Sequence, residues 1–146
     1  MASIRSGIGE NMEDRYLFKA KHFKEWHIGN IVKEPDGLYI RDIKENVTAY
    51  IDDESTICQC TGLKDKNGKL IWENDVVKAT VRQNSLCQLS SYSDFYQISY
   101  QEKYCYFYLK KKNNNLLFDG NWSYYLKSIE VIGNIFDNPE LLESEE

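Results

Sequence analysis

The sequence predicts a small, mainly β protein, and three patterns support this. Asn67-Gly68 separates two apolar segments, and this dipeptide favours a type I′ hairpin turn because both residues tolerate positive φ. Side chains alternate over 95–109, where Tyr104, Tyr106 and Tyr108 share one face. Short β-rich segments recur between Gly, Pro, Asn and Asp turns. We therefore expect an all-β barrel or meander, or another mainly β fold.

Turn residues set the order of the other predicted strands. The alternating segment 16–21 predicts a strand running toward a turn, and Pro35-Asp36-Gly37 predicts a turn between two apolar segments. The Ser- and Gln-rich segment 85–93 predicts a loop. Further strands are predicted at 47–51, 56–60, 70–72, 76–81, 116–118 and 122–126.

The C-terminal segment predicts one more strand and a short helical turn. Residues 129–136 are apolar, and Gly133 within them predicts a bulge or a close backbone approach. Asn138-Pro139-Glu140 suits a helix start, since Asn caps, Pro fits the first helical position and Glu suits the positive dipole end. Only two leucines follow, so the helix should be brief and lead into an acidic tail.

Length and composition predict one domain at 12–146. The chain has 146 residues, and its 14% aromatic content, including eleven Tyr, excludes an intrinsically disordered chain and favours strands. Residues 1–11 are expected to be a flexible extension, an alternative start or a cloning remnant.

The net charge of −5 comes from the C-terminal tail. The sequence has 23 acids and 18 bases, and five of the acids lie from Asp137 onward with no base among them. The remaining 18 acids equal the bases in number, so the body is close to neutral. Because a basic surface supplies most non-specific nucleic-acid affinity, duplex DNA binding is disfavoured.

The predicted compartment is the cytoplasm. No stretch of eighteen apolar residues predicts a membrane helix, and residues 1–11 lack the apolar region of a signal peptide. Of the four cysteines, the closest pair is Cys58 and Cys60, which is typical of reduced cytosolic thiols rather than of a disulfide framework. No membrane association is expected.

Three segments of the sequence together carry a family resemblance. They are CTGLKDKNGKLIWENDVVK in the centre, IEVIGNIFDNPELLE at the C-terminus and RYLFKAKHFKEW near the N-terminus. The three segments resemble the YopX family of phage and prophage proteins, and the last of them is similar to the family's opening strand. The family usually has Gly where this chain has Asn74, and Asn is the next most tolerant residue at a left-handed turn position. Residues 82–127 resemble nothing that we can place.

The YopX resemblance implies a phage or prophage origin and a β-rich fold with SH3-like barrel character. The protein would then act in the cytoplasm of the bacterial host. The resemblance implies no activity, because no catalytic residues of the family can be carried over.

Catalytic and metal motifs are weak in this sequence. Zinc could draw on His22, His27 and the four cysteines, but structural sites normally show two close pairs such as Cys-x2-Cys. Neither His lies in a recognisable catalytic motif, and no phosphate loop is present. Acids at 52–54 and 73–75 are expected to cap turn amides and face water. We therefore predict no catalytic residue, no metal and no cofactor.

The most suggestive candidate surface is the series Tyr104, Tyr106 and Tyr108 followed by Lys110, Lys111 and Lys112. Such rings can contact a protein partner, stack on unpaired bases beside phosphate-binding lysines, or simply stabilise the sheet by cross-strand pairing. The leading hypothesis is a non-enzymatic interaction module for a host or phage protein. A single-stranded nucleic-acid binder and a small enzyme are the alternatives, and a homo-oligomer stays possible.

Overall fold

The computed structural model describes residues 14–85, 88–111 and 127–143. These residues form antiparallel strands together with the short helix α1 at Glu140–Glu143. The mainly β prediction is therefore confirmed, and so is the short C-terminal helix. The chain divides into two compact units, Met1–Leu63 and Lys64–Glu146. The predicted extension 1–11 and the predicted strands at 116–118 and 122–126 lie outside the described residues.

The first unit is built on an antiparallel sheet. Its strands are β1 Phe18–His22, β2 Glu25–Glu34, β3 Gly37–Asp42, β4 Val47–Tyr50 and β5 Cys58–Lys64. They pair in the order β4-β3-β2-β1-β5, and a single 3₁₀ turn at Glu54–Thr56 precedes β5. The predicted turn at Pro35-Asp36-Gly37 is confirmed, because Glu34 pairs with Gly37 across a two-residue loop.

Small and branched side chains form the core of the first unit. Ala20, Ile40, Ala49 and Ile51 are buried together, from β1, β3, β4 and the residue after β4. Cys58 and Cys60 lie on the buried face of β5, since residues two apart in a strand share a face. Neither is part of a disulfide, as predicted.

The second unit contains a four-stranded antiparallel sheet. This sheet consists of β7 Asp75–Ser85, β8 Gln88–Gln101, β9 Tyr106–Lys110 and β10 Glu130–Asn134, and the unit also contains the short strand β6 Leu70–Trp72, which is not part of it. The four-stranded sheet has the order β10-β7-β8-β9, and its described pairings leave it open rather than closed into a barrel. Val77 of β7, Tyr96 and Ile98 of β8 and Leu109 of β9 are fully buried.

The turn at Asn67-Gly68 is present, but its predicted type is wrong. Gly68 has φ of 83°, whereas Asn67 is not among the described non-glycine residues with positive φ, so a type I′ turn is excluded. Gly68 N–H donates to the Asp65 carbonyl at 3.0 Å. The Asp65 side chain accepts the N–H groups of Asn67 and Lys69, both at 2.9 Å. A buried aspartate thus organises the turn.

Two predictions for the long strands are corrected. The loop predicted at 85–93 is wrong in its extent, because β7 runs to Ser85 and β8 begins at Gln88. The alternating segment 95–109 is two strands rather than one, since β8 ends at Gln101 and β9 starts at Tyr106. In the turn between the two strands, Cys105 adopts the left-handed backbone conformation, with φ of 59°.

Gly133 lies at a bulge, which is one of the two features predicted for it. The pairing of β10 with β7 shifts register between Val131 and Gly133. A Cβ atom on Gly133 would lie 2.4 Å from Asn138 Oδ1, so a larger residue here would displace the Asn138 side chain just before α1. Asn74, at the turn between β6 and β7, has φ of 72°, which confirms that Asn serves as the left-handed residue there.

No helix of the described residues is long and apolar enough to cross a membrane.

Gly29 of β2 gives a test of the packing of the first unit. A Cβ at this position would lie 1.7 Å from the Arg41 carbonyl oxygen of β3, a distance that forces the two strands apart. We expect Gly29→Ala to lower the free energy of unfolding by about 1–3 kcal/mol or more. Urea denaturation measures this. Asn30→Ala, at the exposed neighbouring position, should stay within about 0.5 kcal/mol of wild type; equal stability of the two variants would contradict the register.

Asp65 gives a second test, with a pH dependence. Burial by itself raises the pKa of Asp65, but hydrogen bonds from the N–H groups of Val131, Lys69 and Asn67, with the charge of Lys69, bring it below 3.8. We expect Asp65→Asn to cost about 1–3 kcal/mol at neutral pH, because its amide cannot accept all three donors.

The sign of the pH effect follows from the lowered pKa of Asp65. The carboxylate stabilises the fold fully above pH 3.8, and this contribution is lost as pH falls through the lower folded-state pKa. The stability difference between wild type and Asp65→Asn should therefore shrink below that pH. Chemical denaturation across the acid range measures it, and a constant difference would count against the role of the ionised group.

Candidate functional site

Three tyrosine rings follow one another along one end of the second unit, and we call Tyr104, Tyr106 and Tyr108 the aromatic strip. Tyr104 and Tyr106 are stacked, with ring centroids 6.3 Å apart and an interplanar angle of 14°. Tyr106 and Tyr108 meet edge to face at 6.1 Å. Tyr104 is 63% exposed. The strip therefore presents connected rings, the first of them largely in water.

Strand geometry explains the direction of the strip. In β9, Leu109 is fully buried opposite Ile98, and Phe107 packs on Tyr100 with centroids 4.9 Å apart. Tyr106 and Tyr108 alternate with these residues and so lie on the other face of the strand. Tyr104 was expected on the same strand but lies in the turn before it. The Cys105 N–H donates to the Gln101 carbonyl at 2.7 Å and closes this turn.

The lysines after the strip do not form one uniform cluster. Lys110 ends β9 on the face of Tyr106 and Tyr108, opposite Gln97. Lys111 makes an ion pair with the Asp94 carboxylate. Lys112 lies outside the described residues. The charge of Lys111 is therefore partly neutralised within the protein.

Lys103 is a cation of the strip that the sequence prediction omitted. Its Nζ lies 5.3 Å from the centroid of the Tyr104 ring, within the range of a cation–π contact. The only sequence signal was its adjacency to Tyr104, which does not reveal a turn. The strip thus has a lysine near each end, Lys103 and Lys110.

Of the candidate zinc ligands named from the sequence, His22 and His27 are neighbours, with ring centroids 6.4 Å apart. His22 Nδ1 is 2.8 Å from the Tyr50 carbonyl oxygen, while Cys58 and Cys60 are buried in β5. Cys105 is exposed in the other unit, and Cys87 lies outside the described residues. His27 instead has carboxylates as neighbours.

His27, Asp42 and Glu45 form a cluster in the first unit that sequence spacing did not suggest. His27 Nδ1 is 2.9 Å from Asp42 Oδ2 and 4.0 Å from Glu45 Oε1. One ligand atom from each of the three lies within 4.8 Å of the other two. The His27 and Asp42 side chains are 8% and 7% exposed, whereas that of Glu45 is 65% exposed.

Asp42 is held as a carboxylate by its surroundings. Burial raises its pKa, but the N–H of Glu45, the ring of His27 and the N–H of Lys44 more than offset this and lower the pKa below 3.8. A small enzyme would need an imidazole with an acid in reach and access for a substrate to that imidazole. His27 and Asp42 meet the first requirement. The burial of the His27 side chain leaves little of it accessible to a substrate.

The acids at the predicted turns cap backbone amides, as expected. Asp53 Oδ1 accepts the Ser55 N–H at 3.0 Å, and Asp52 Oδ1 accepts the Phe23 N–H at 2.7 Å. Asp75 Oδ2 accepts the Trp72 N–H at 2.8 Å but is only 3% exposed, so the expectation that these acids face water is wrong for it.

The structure defines a mainly β protein whose second unit exposes a strip of connected tyrosine rings on an antiparallel sheet. The chain belongs to the YopX protein family, whose model matches residues 14–143. This match spans both compact units and confirms the resemblance of the three segments. A search of curated proteins found no match.

Proposed function

We propose that this YopX family member is a phage- or prophage-encoded, non-enzymatic interaction module that binds a host or phage protein through the aromatic strip. The observation that carries the proposal is the exposure of Tyr104, at 63%, in a ring that is already in contact with Lys103 and Tyr106. A ring so exposed contributes little to the hydrophobic core of the protein, although its neighbours hold it in place. It is well suited to contact a partner.

Prior ordering of the rings favours binding. Association normally costs free energy because side chains lose rotamer freedom at the interface. The rings of the strip contact each other in series before any partner arrives, so this loss is smaller. Tyrosine also provides a large contact area with few rotatable bonds, and it is enriched among the residues that dominate interface energies.

Charge favours a protein partner over single-stranded nucleic acid. A strand-binding groove needs cations free to meet phosphates. Lys111 pairs with Asp94, and Glu102 lies in the same turn as Tyr104. The acids and bases of the chain before Asp137 balance, so no general basic field is present. Lys103 and Lys110 still support the nucleic-acid alternative, which therefore needs its own test.

Two tyrosines of similar exposure provide a controlled test of the interaction proposal. Tyr104 is 63% exposed in the strip, and Tyr16 is 60% exposed in the first unit. We expect wild type and Tyr16→Ala to capture the same protein from host lysate or phage-infected lysate, and Tyr104→Ala to lose it. Titration of the identified, purified partner should show at least a roughly tenfold weaker affinity for Tyr104→Ala, as expected for an interface anchor.

Thermal unfolding of the three proteins serves as the control, since both substitutions remove exposed rings and should leave stability nearly unchanged. The proposal fails if wild type enriches no protein above background. It also fails if Tyr104→Ala binds the partner as well as Tyr16→Ala does.

The nucleic-acid alternative predicts a different result. Fluorescence anisotropy with a labelled single-stranded oligonucleotide at low salt should show no saturable binding if the strip serves a protein partner. Binding that falls steeply with salt and weakens in Lys110→Gln and Tyr106→Ala would instead favour the alternative, because phosphate contacts release counterions.

A further inference from the structure

Three possible metal ligands converge beside the turn that follows β3. His27 comes from β2, Asp42 ends β3 and Glu45 lies in the turn. His27 Nδ1 faces both carboxylates, Asp42 Oδ2 at 2.9 Å and Glu45 Oε1 at 4.0 Å. Only Glu45 is exposed, so the cluster opens to solvent on one side.

The backbone holds these side chains in place. Gly29 pairs with Asp42, and the Ile43 N–H donates to the Ile28 carbonyl at 3.1 Å, which extends the contact of β2 with the turn toward His27. The Asn46 N–H donates to the Asp42 carbonyl at 2.9 Å, and Asn46 has φ of 59°. The turn that carries Glu45 is therefore fixed before any ligand binds.

The two oxygens of Asp42 have separate tasks. Oδ1 accepts the N–H groups of Lys44 and Glu45, both at 2.8 Å. Oδ2 is left to face the ring of His27. Nδ1 carries at most one proton, and this proton can satisfy only one carboxylate well at a time. A divalent cation in place of the proton would be bound by all three side chains at once.

We propose that His27 Nδ1, Asp42 Oδ2 and Glu45 Oε1 form a binding site for a divalent transition-metal ion, best matched by Zn²⁺. Zinc takes imidazole nitrogen and carboxylate oxygen in tetrahedral sites, where ligand atoms about 2.0–2.2 Å from the metal lie about 3.4 Å from each other. The observed distance from His27 Nδ1 to Asp42 Oδ2, 2.9 Å, is shorter than this spacing, and that to Glu45 Oε1, 4.0 Å, is longer. Rotation of the exposed Glu45 side chain shortens the longer spacing, and His27 and Asp42 separate by about 0.5 Å when the metal replaces the proton between them. Water takes the fourth position.

The chemistry of the three ligands determines which metal ion the site should prefer. An imidazole ligand favours zinc over calcium or magnesium, which prefer all-oxygen sites. The simpler alternative is a buried hydrogen bond between His27 and Asp42 with Glu45 nearby by chance. The experiment must separate these two.

Glu45→Gln is the decisive variant, because Glu45 is exposed and its backbone N–H, not its side chain, bonds Asp42. Glu34→Gln, at an exposed position of β2, is the matched control. All proteins carry Cys105→Ser so that the exposed thiol binds no zinc. The full chain, stripped with a chelator, is titrated with ZnCl₂ by calorimetry.

We expect one zinc ion per chain in the Cys105→Ser background and in Glu34→Gln. Binding should weaken by roughly tenfold or more in Glu45→Gln, since even the loss of a supporting contact around a metal has that effect. Long-range ¹H–¹⁵N spectra of the imidazoles should show a large shift of the His27 Nδ1 signal with zinc. The signals of His22, whose ring centroid lies 6.4 Å from that of His27, should shift less, because His22 is not a ligand.

The proposal is overturned if no zinc binds, or if Glu45→Gln binds as tightly as Glu34→Gln. An Nδ1 signal of His27 that zinc leaves unmoved would equally establish the plain hydrogen bond. The spectra require no variant at His27, so a folding defect at that buried position cannot obscure the result.

Discussion

The carboxylate of Asp65 accepts three backbone N–H groups, and the second unit is arranged around it. Two of the donors, Asn67 and Lys69, belong to its own turn, and the third, Val131, lies in β10 at 2.9 Å. Lys66 N–H adds a bond to the Ile129 carbonyl. One buried charge thus joins a turn to a strand 66 residues away. Because backbone donors left unpaired in the interior cost more than a hydrogen bond gains, this arrangement fixes both segments together.

Asp42 has the same function in the first unit, with one addition. Its Oδ1 organises the turn after β3 through two N–H groups, as Asp65 organises its own turn. Its Oδ2 faces an imidazole rather than a further backbone donor. A side chain that stabilises the turn therefore also creates a polar cluster open to solvent through Glu45. The aromatic strip arises in a comparable way, since the turn closed by Cys105 places Tyr104 against Tyr106.

Local patterns predicted most elements of the fold. Strand alternation, the Pro35-Asp36-Gly37 turn, the bulge at Gly133 and the short helix α1 depend on neighbouring residues, and each was found in the structure. The turn type at Asn67 was wrong because a buried acid two residues earlier outweighs the preference of the Asn-Gly dipeptide. The Ser- and Gln-rich composition of 85–93 predicts a loop, but pairing between β7 and β8 holds Ser85 and residues 88–93 extended, and composition does not reveal such pairing.

The mainly β class, the YopX membership and the three tyrosines of the strip could all be predicted from the sequence, because each shows in short motifs of neighbouring residues. The contacts between side chains that are distant along the chain depend on the tertiary structure. Lys111 pairs with Asp94, Lys103 lies over Tyr104, and His27 meets Asp42 rather than a cysteine. Strand register and turn geometry set these contacts, and neither can be obtained from spacing along the chain.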